Sequence, residues 1–368
     1  MAARADTHLL TDGTLVLPPR VSRADRWGVS GMLSGMKLRL LAVVTSLVLV
    51  VSACGGGDSS DEKKESSEGE SQQIVQVSPL TGQEFGGTPP ANPVFVVKVE
   101  NSRSGAPQYG VNQADLVVEE MVEGGITRLA ALYHTTLPTK IGHVRSLRGT
   151  DAGIAAPVAA HVVASGGAGP AYDVIGGAGL TTYTEDNSSP GFSSDPAKKR
   201  PYNRLLDLTA VAAAAAPTQI PGPYFQFTPA GETPPAAAGA RPVTSASVTF
   251  SSSHTTTFAL TNGTWSRTNG FAAPGEEFVA NNLVVIYAPE RDAGYRDPAG
   301  NRVPETIFEG TGNGVVVIGG QAVDVQWSKA SLASTVTFTD AAGAPVTIPP
   351  GKTWIELVSQ DRGSATFQ

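Results

Sequence analysis

The chain has 368 residues, a net charge of −7, 16% charged residues, 41 glycines, 27 prolines and one cysteine. The acidic balance and the lack of a long basic run argue against nucleic acid as a partner, and a single thiol excludes any internal disulfide. The length allows two domains, and the Gly and Pro content predicts many turns between short elements.

Residues 1–35 fit no targeting signal and read as an upstream mis-start or a disordered extension, since Met32 or Met36 would start the chain beside its basic residues. Residues 36–53 read as a lipoprotein signal peptide. Lys37 and Arg39 form a short basic region, and Leu40 to Val51 form an apolar core too short to span a bilayer comfortably. Val51-Ser52-Ala53-Cys54 then resembles a bacterial lipobox. That resemblance implies cleavage before Cys54 and acylation of its thiol and new amine, with palmitate among the chains. Two such lipid groups anchor firmly, because each buried methylene contributes about 0.8 kcal/mol. The competing reading is a free cysteine in a single spanning helix.

Residues 54–78 read as a disordered acidic, Ser- and Gly-rich tether, "GGGDSSDEKKESSEGESQQ" being polar and without apolar periodicity. About 19 flexible residues span on the order of 25 Å, enough to clear lipid headgroups but not a thick wall. The location expected is the extracytoplasmic face of the cell membrane.

The folded part is expected from residue 79. "VFVVKVE" (94–100) reads as a buried strand. "ADLVVEEMV" (114–122) and "ITRLAALYH" (126–134) read as a hairpin turned by Gly124-Gly125. "GTDAGIAAPVAAHVVAS" predicts a short helix ended by Pro157, then a strand into Ser165. "AYDVI" follows a Gly-Pro break as a helical turn. Asn203 is a candidate N-cap for a helix over 204–216, which Pro217 stops. Strands mixed with a few helices predict an α+β N-terminal domain with a mixed sheet over 79–217. Residues 218–242 are Pro-, Ala- and Gly-rich and read as a linker or surface excursion. Over 243–368 the short strands "SVTFSS", "TTTFAL", "TWSRTN", "NLVVIYA", "GVVVIGG", "AVDVQWS", "STVTFTD" and "KTWIELV" predict a smaller, mostly antiparallel β C-terminal domain, a curled sheet or small barrel.

The stretch "EEMVEGGITRLAALYHTTLPTKIGHVRSLR" (119–148) resembles the YerB-like family, two-domain bacterial lipoproteins of unknown function. The resemblance begins at "PLTG" (79–82). It continues through "NQADLVVEEMVEGGITR", "KIGHVRSLR", "RPYNRL", "VVVIGG", "VQWSK" and "GKTWIELV". It implies an exported, membrane-anchored protein with an N-terminal α+β domain and a C-terminal β domain, and no particular activity. The family commonly has Pro-His-Asn where this chain has Pro201-Tyr202-Asn203. A shared His-based mechanism is therefore not implied, because Tyr is a poor base near neutral pH.

Most of the chemistry-bearing residues lie between 119 and 148. Glu119 and Glu123 are candidate acid and base on one face. On a strand their Cα atoms would be about 13 Å apart, wider than the roughly 5–9.5 Å between the carboxyls of a glycosidase pair. Glu120 points to the Leu116, Val118 and Val122 side. Arg128, Arg145 and Arg148, with Asn203, are candidates to hold an anion, since a guanidinium grips carboxylate or phosphate through paired hydrogen bonds. Two readings stay open: a closed Glu–Arg network fixing the hairpin, or an anion pocket. His134, His143 and His161 lack the spacing of a helical zinc site, so no metal and no cofactor are expected. "SGGAGP" (165–170) is neither a G-x-G-x-x-G nor a Walker loop and reads as a tight turn. The leading expectation is a lipoprotein, held to the membrane through Cys54, that binds an envelope protein or wall polymer. The rival is an envelope hydrolase or transferase for an anionic glycan or phosphoester, using Glu119 and Glu123 with the three arginines.

Overall fold

The computed structural model describes residues 76–368. The signal peptide, Cys54 and nearly all of the tether lie outside the described residues. Among those described, no helix is long and apolar enough to cross a membrane. The first described turn, residues 78–82, already buries Leu80. It closes on Gly82 at φ 64°, a left-handed conformation open to glycine without strain.

The N-terminal region supplies strands β1 (Phe95–Glu100), β2 (Leu116–Met121), β3 (Thr127–Tyr133), β4 (Ile141–Gly142), β5 (His161–Ala164), β6 (Thr182–Thr184), β7 (Phe192–Ser194) and β8 (Arg204–Leu206). Its helices are α1 (Asp151–Ala155), α2 (Gly169–Gly177) and α3 (Leu208–Ala214). The long apolar runs become central strands. β2 and β3 form the expected hairpin, with Gly124 and Gly125 at φ 73° and 72° in its turn. β1 pairs antiparallel with β3 and parallel with β5, so this part of the sheet is mixed.

The C-terminal region supplies β9 (Arg241–Pro242), β10 (Ser245–Ser251), β11 (His254–Thr261), β12 (Thr264–Arg267), β13 (Val279–Ala280), β14 (Asn282–Ala288), β15 (Glu290–Arg296) and β16 (Arg302–Thr306). β17 (Gly310–Ile318), β18 (Gln321–Lys329), β19 (Thr337–Thr339), β20 (Thr353–Ser359) and β21 (Ser364–Phe367) follow. The pairing is mostly antiparallel. The strands do not close into a curled sheet or barrel of their own. β10 to β13 and β21 form a five-stranded sheet, while β14 and β17 to β20 continue the sheet of the N-terminal region. The order is β19-β18-β17-β14-β20-β2-β3-β1-β5-β6, with β9 on β18.

The joining strand is β20, which lies between β14 and β2 and runs parallel to both. All seven of its residues are buried. A strand apolar on both faces needs cover on both sides and a neighbour at each edge, which is the usual setting of a buried parallel strand. Two apolar layers provide that cover. On one face Leu116, Val118, Ile355 and Leu357 pack with Ile154, Phe225, Phe308 and Trp327. On the other, Val117, Met121, Leu129 and Trp354 pack with Val248, Phe250, Trp265 and Leu206.

One local expectation needs correction. Asn203 does not cap a helix over 204–216. Leu205 and Leu206 instead pair with Gly142 and Ile141 as strand β8, and Asp207 caps the shorter α3 by accepting from the Thr209 N–H at 3.0 Å. Pairing with β4 outweighs the modest helix propensity of the two leucines. Of the two readings of 218–242, the surface excursion fits, since most of its residues are at the surface while a few anchor it to the fold. Tyr224 and Phe225 are fully buried, and the Tyr224 N–H donates to Pro79 O at 2.8 Å, tying the segment back to the start of the fold.

Candidate functional site

Strand alternation sorts the polar residues of β1, β2 and β3 onto the two faces of the large sheet. Lys98, Glu100, Glu120 and Arg128 share the face of Val96, Val118 and Ala130. Glu119 shares the opposite face with Val117 and Met121. Glu119 and Glu123 thus sit in different clusters, and the span from Glu119 to Arg148 is not a single polar site.

The first cluster is a closed ion network. Glu123 accepts from Arg128 Nη2 at 2.8 Å and from Arg148 through both Nε, at 2.9 Å, and Nη2. Arg128 also donates to Ser146 O and Arg148 to Leu147 O, so both guanidiniums hold the loop after β4. Arg145 pairs with Glu100, and Lys98 with both Glu120 and Asp151. Four cations meet four carboxylates, nearly all buried. Burial raises the Glu123 carboxyl, but Arg128 and Arg148 outweigh it and hold the group at about 2. Burial lifts Glu120 to about 7 despite Lys98. Burial beside Arg148 also lowers Arg128 to about 10. The two partners of the Arg128–Glu123 pair therefore shift with opposite consequences. The Glu123 shift governs acid behaviour, since Arg128 keeps its proton throughout that range.

The second cluster escapes the sequence reading. Four donors converge on Glu119 Oε1: Asn101 Nδ2 at 2.9 Å, Thr127 Oγ1 at 2.7 Å, His254 Nε2 at 2.7 Å and Thr256 Oγ1 at 2.9 Å. Glu356 on β20 is the register partner of Glu119, and both side chains are fully buried. Glu356 Oε1 accepts from Trp354 Nε1 at 2.9 Å. Oε2 of each carboxyl has no partner among the described residues. Arg267 donates to Asn101 Oδ1 at 3.0 Å and lies 5.2 Å from the Trp354 ring. Burial would raise Glu119, but Arg267 and His254 bring it below its ordinary range. Burial and the neighbouring Glu119 charge push Glu356 well above its own. These surroundings thus drive the two carboxyls apart, Glu119 toward its charged form and Glu356 toward its neutral one. Alternation in "TWIELV" puts Glu356 on the Trp354 face, and that was the only sequence signal for it.

Of the remaining candidates, His143, the glycine turn and Tyr202 are engaged within the fold, while His134 Nδ1 and His161 Nδ1 have no partner among the described residues. His143 is buried with Nδ1 2.7 Å from Gly105 O and Nε2 3.0 Å from Asp195 Oδ2, so neither ring nitrogen is free. Asp186 accepts from the Gly167 N–H at 3.2 Å and from Tyr172 Oη at 3.0 Å, so a carboxylate of the chain fills the glycine turn. Tyr202, in the Pro-Tyr-Asn triplet, lies under the Arg145 guanidinium at 4.8 Å. Asn203 Oδ1 is buried without a partner among the described residues. Among the described residues no group of three His, Cys, Asp or Glu is placed to hold a metal ion.

Comparison with known proteins agrees with this layout. Residues 80–221 match the family described as "Protein of unknown function (DUF3048) N-terminal domain", and residues 246–355 match the corresponding C-terminal domain. The chain is 37% identical over 71 residues to "Putative lipoprotein YerB" of Bacillus subtilis (strain 168), an alignment spanning 19% of this chain and 22% of that protein. The crystal structure of the YerB protein from Bacillus subtilis superposes with a TM-score of 0.65 at 20% identity, covering 79% of this chain and 99% of that one. At that identity the likeness speaks for the fold. With both domains matched in order along a shared architecture, the chain belongs to this two-domain, YerB-like family of unknown function.

Proposed function

We propose that this protein is a non-enzymatic binding module of the cell envelope, anchored to the extracytoplasmic face of the membrane by acylated Cys54. The observation that carries the binding reading is the closure of the Glu–Arg network: Glu123 is saturated by Arg128 and Arg148, and Arg145 by Glu100. A hydrolase or transferase built on Glu119 and Glu123 would need both carboxyls to face one substrate, and they are held in separate clusters, Glu119 by His254 and Thr256 and Glu123, in the hairpin turn, by Arg128 and Arg148. The anchoring reading rests on the lipobox at Cys54 and on the name borne by the Bacillus subtilis relative. The partner is an envelope protein or a wall polymer.

Two measurements test this. Cys54→Ala should leave the precursor uncut or move the protein out of the membrane fraction, and unchanged processing and partitioning would remove the lipoprotein reading. The full chain in detergent should be retained on isolated, protein-stripped cell walls without releasing soluble sugar or phosphate. Product release would replace the binding reading with the enzymatic one.

A further inference from the structure

The chain is acidic overall, yet one part of its surface is strongly basic. The run 198–204 is "KKRPYNR". Lys198, Lys199 and Arg200 lie in the turn between β7 and β8, and Arg204 opens β8. Lys198 Nζ donates to Ser104 O at 3.2 Å and to Ala106 O, which seats this turn against the segment carrying exposed Arg103. Exposed Lys140 leads into β4, on the other side of β8, and lies 3.4 Å over the Tyr109 ring. Its charge reaches Asp195 in the β7–β8 turn. Six cations thus share this small three-stranded sheet and the segments against it with Asp195, Asp207 and Glu185, each engaged within the fold: Asp195 by His143, Asp207 by Thr209, and Glu185 by Arg200 and Arg204.

We propose that the surface formed by Arg103, Lys140, Lys198, Lys199, Arg200 and Arg204 is the binding face, and that its partner is a polymer bearing repeated phosphates. This inference rests on the binding reading above and names its partner class. A local excess of cations on a chain of net charge −7 is a field that attracts polyanions. The cations are distributed over a sheet and its flanking turns, which suits a chain with many charges better than one small anion.

The test uses the full chain in detergent, with linear polyphosphate as probe and phosphatidylglycerol vesicles in parallel. Wild type should bind polyphosphate, and binding should weaken steeply as salt rises. Arg103→Glu/Lys199→Glu, at two exposed positions, should weaken it ten-fold or more. Arg296→Glu/Arg302→Glu, the same charge change on the β15–β16 hairpin, should have little effect. Equal binding by wild type and the first variant, salt-insensitive binding, or binding to vesicles alone would overturn the assignment. Retention on stripped cell walls separates the two levels of the argument. If wild type and the first variant are retained equally, this surface is wrong and the binding reading stands. If wild type is not retained, the binding reading itself fails.

Discussion

Glu119 and Glu356 stand in register on adjacent parallel strands, both fully buried, each with one carboxyl oxygen unpartnered. Their environments divide the labour. Asn101, His254 and two threonines donate to Glu119, while Glu356 accepts from Trp354, and the Arg267 charge acts on both. Two like charges so placed cannot both persist in a dry interior, so one carboxyl keeps its proton.

Opposite outcomes follow for two conservative changes. Glu119→Gln removes the charge that Arg267 and His254 face, and should cost about 3–5 kcal/mol, the usual penalty for breaking a buried ionic cluster. Glu356→Gln mimics the protonated form and should be nearly silent only at and below the ordinary carboxyl value, near 4.3. A carboxyl whose folded value is raised contributes stability below its ordinary range, near 4.3, and loses it as pH rises through the folded value. Wild type should therefore lose more stability than Glu356→Gln toward alkaline pH. Glu120, held at about 7, adds a loss common to both proteins. Thermal melts from pH 5 to 9 read the difference, and parallel curves would remove the acid–carboxylate pair.

The Glu123 network predicts acid sensitivity. Its carboxyl sits at about 2, so its contribution is complete above the ordinary value near 4.3 and disappears as pH falls from there toward about 2. The amount is on the order of 3 kcal/mol. Urea titrations of wild type and Glu123→Gln should differ at pH 6 and converge near pH 2.

Arg128→Ala should destabilise by about 3–5 kcal/mol, because Glu123 loses a buried partner and Ser146 O loses its donor. Phosphate should not shift the melting temperature of either protein differently. A stable variant that has lost a phosphate response would show the cluster to be an anion pocket instead.

Lys329 is buried and donates to three carbonyls, Gly153 O at 3.0 Å, Phe308 O at 2.9 Å and Leu332 O at 2.6 Å. It joins α1 to the strands beside it, and burial lowers it to about 8. Lys329→Met relieves the buried charge but leaves three acceptors dry, each costing about 1–3 kcal/mol. A net loss of about 2 kcal/mol or more is expected in denaturant melts. An unchanged midpoint would mean that water reaches these carbonyls.

Capping offers a local check. Asp207→Ala should cost about 1 kcal/mol through loss of the bond to the Thr209 N–H. Asn203→Ala should cost less, since Asn203 Oδ1 has no partner to lose. The reverse order, measured by chemical denaturation, would restore Asn203 as the structural residue.

The sequence alone determined the local elements whose cause is local. The runs at 94–100, 114–122 and 126–134 are strands because β-branched apolar residues suit a sheet covered on both faces. Gly124-Gly125 turns two of them into a hairpin because only glycine takes those φ values without strain. The likeness to a two-domain family was also legible, through long stretches of matching residues. What the tertiary structure decided is who meets whom. Apolar periodicity in "TWIELV" announces a buried strand but not that β20 will sit against β2, more than 230 positions earlier in the chain. That pairing joins the two regions into one sheet and brings Glu356 beside Glu119. His254 and Arg267 come from the strands that cover this face. Spacing along the chain suggested Glu119 with Glu123, but the strand ends at Met121, and in the turn beyond it Glu123 is drawn to Arg128 and Arg148. Ion pairing is set by distance through space, and distance through space is fixed by long-range strand order that no local pattern encodes.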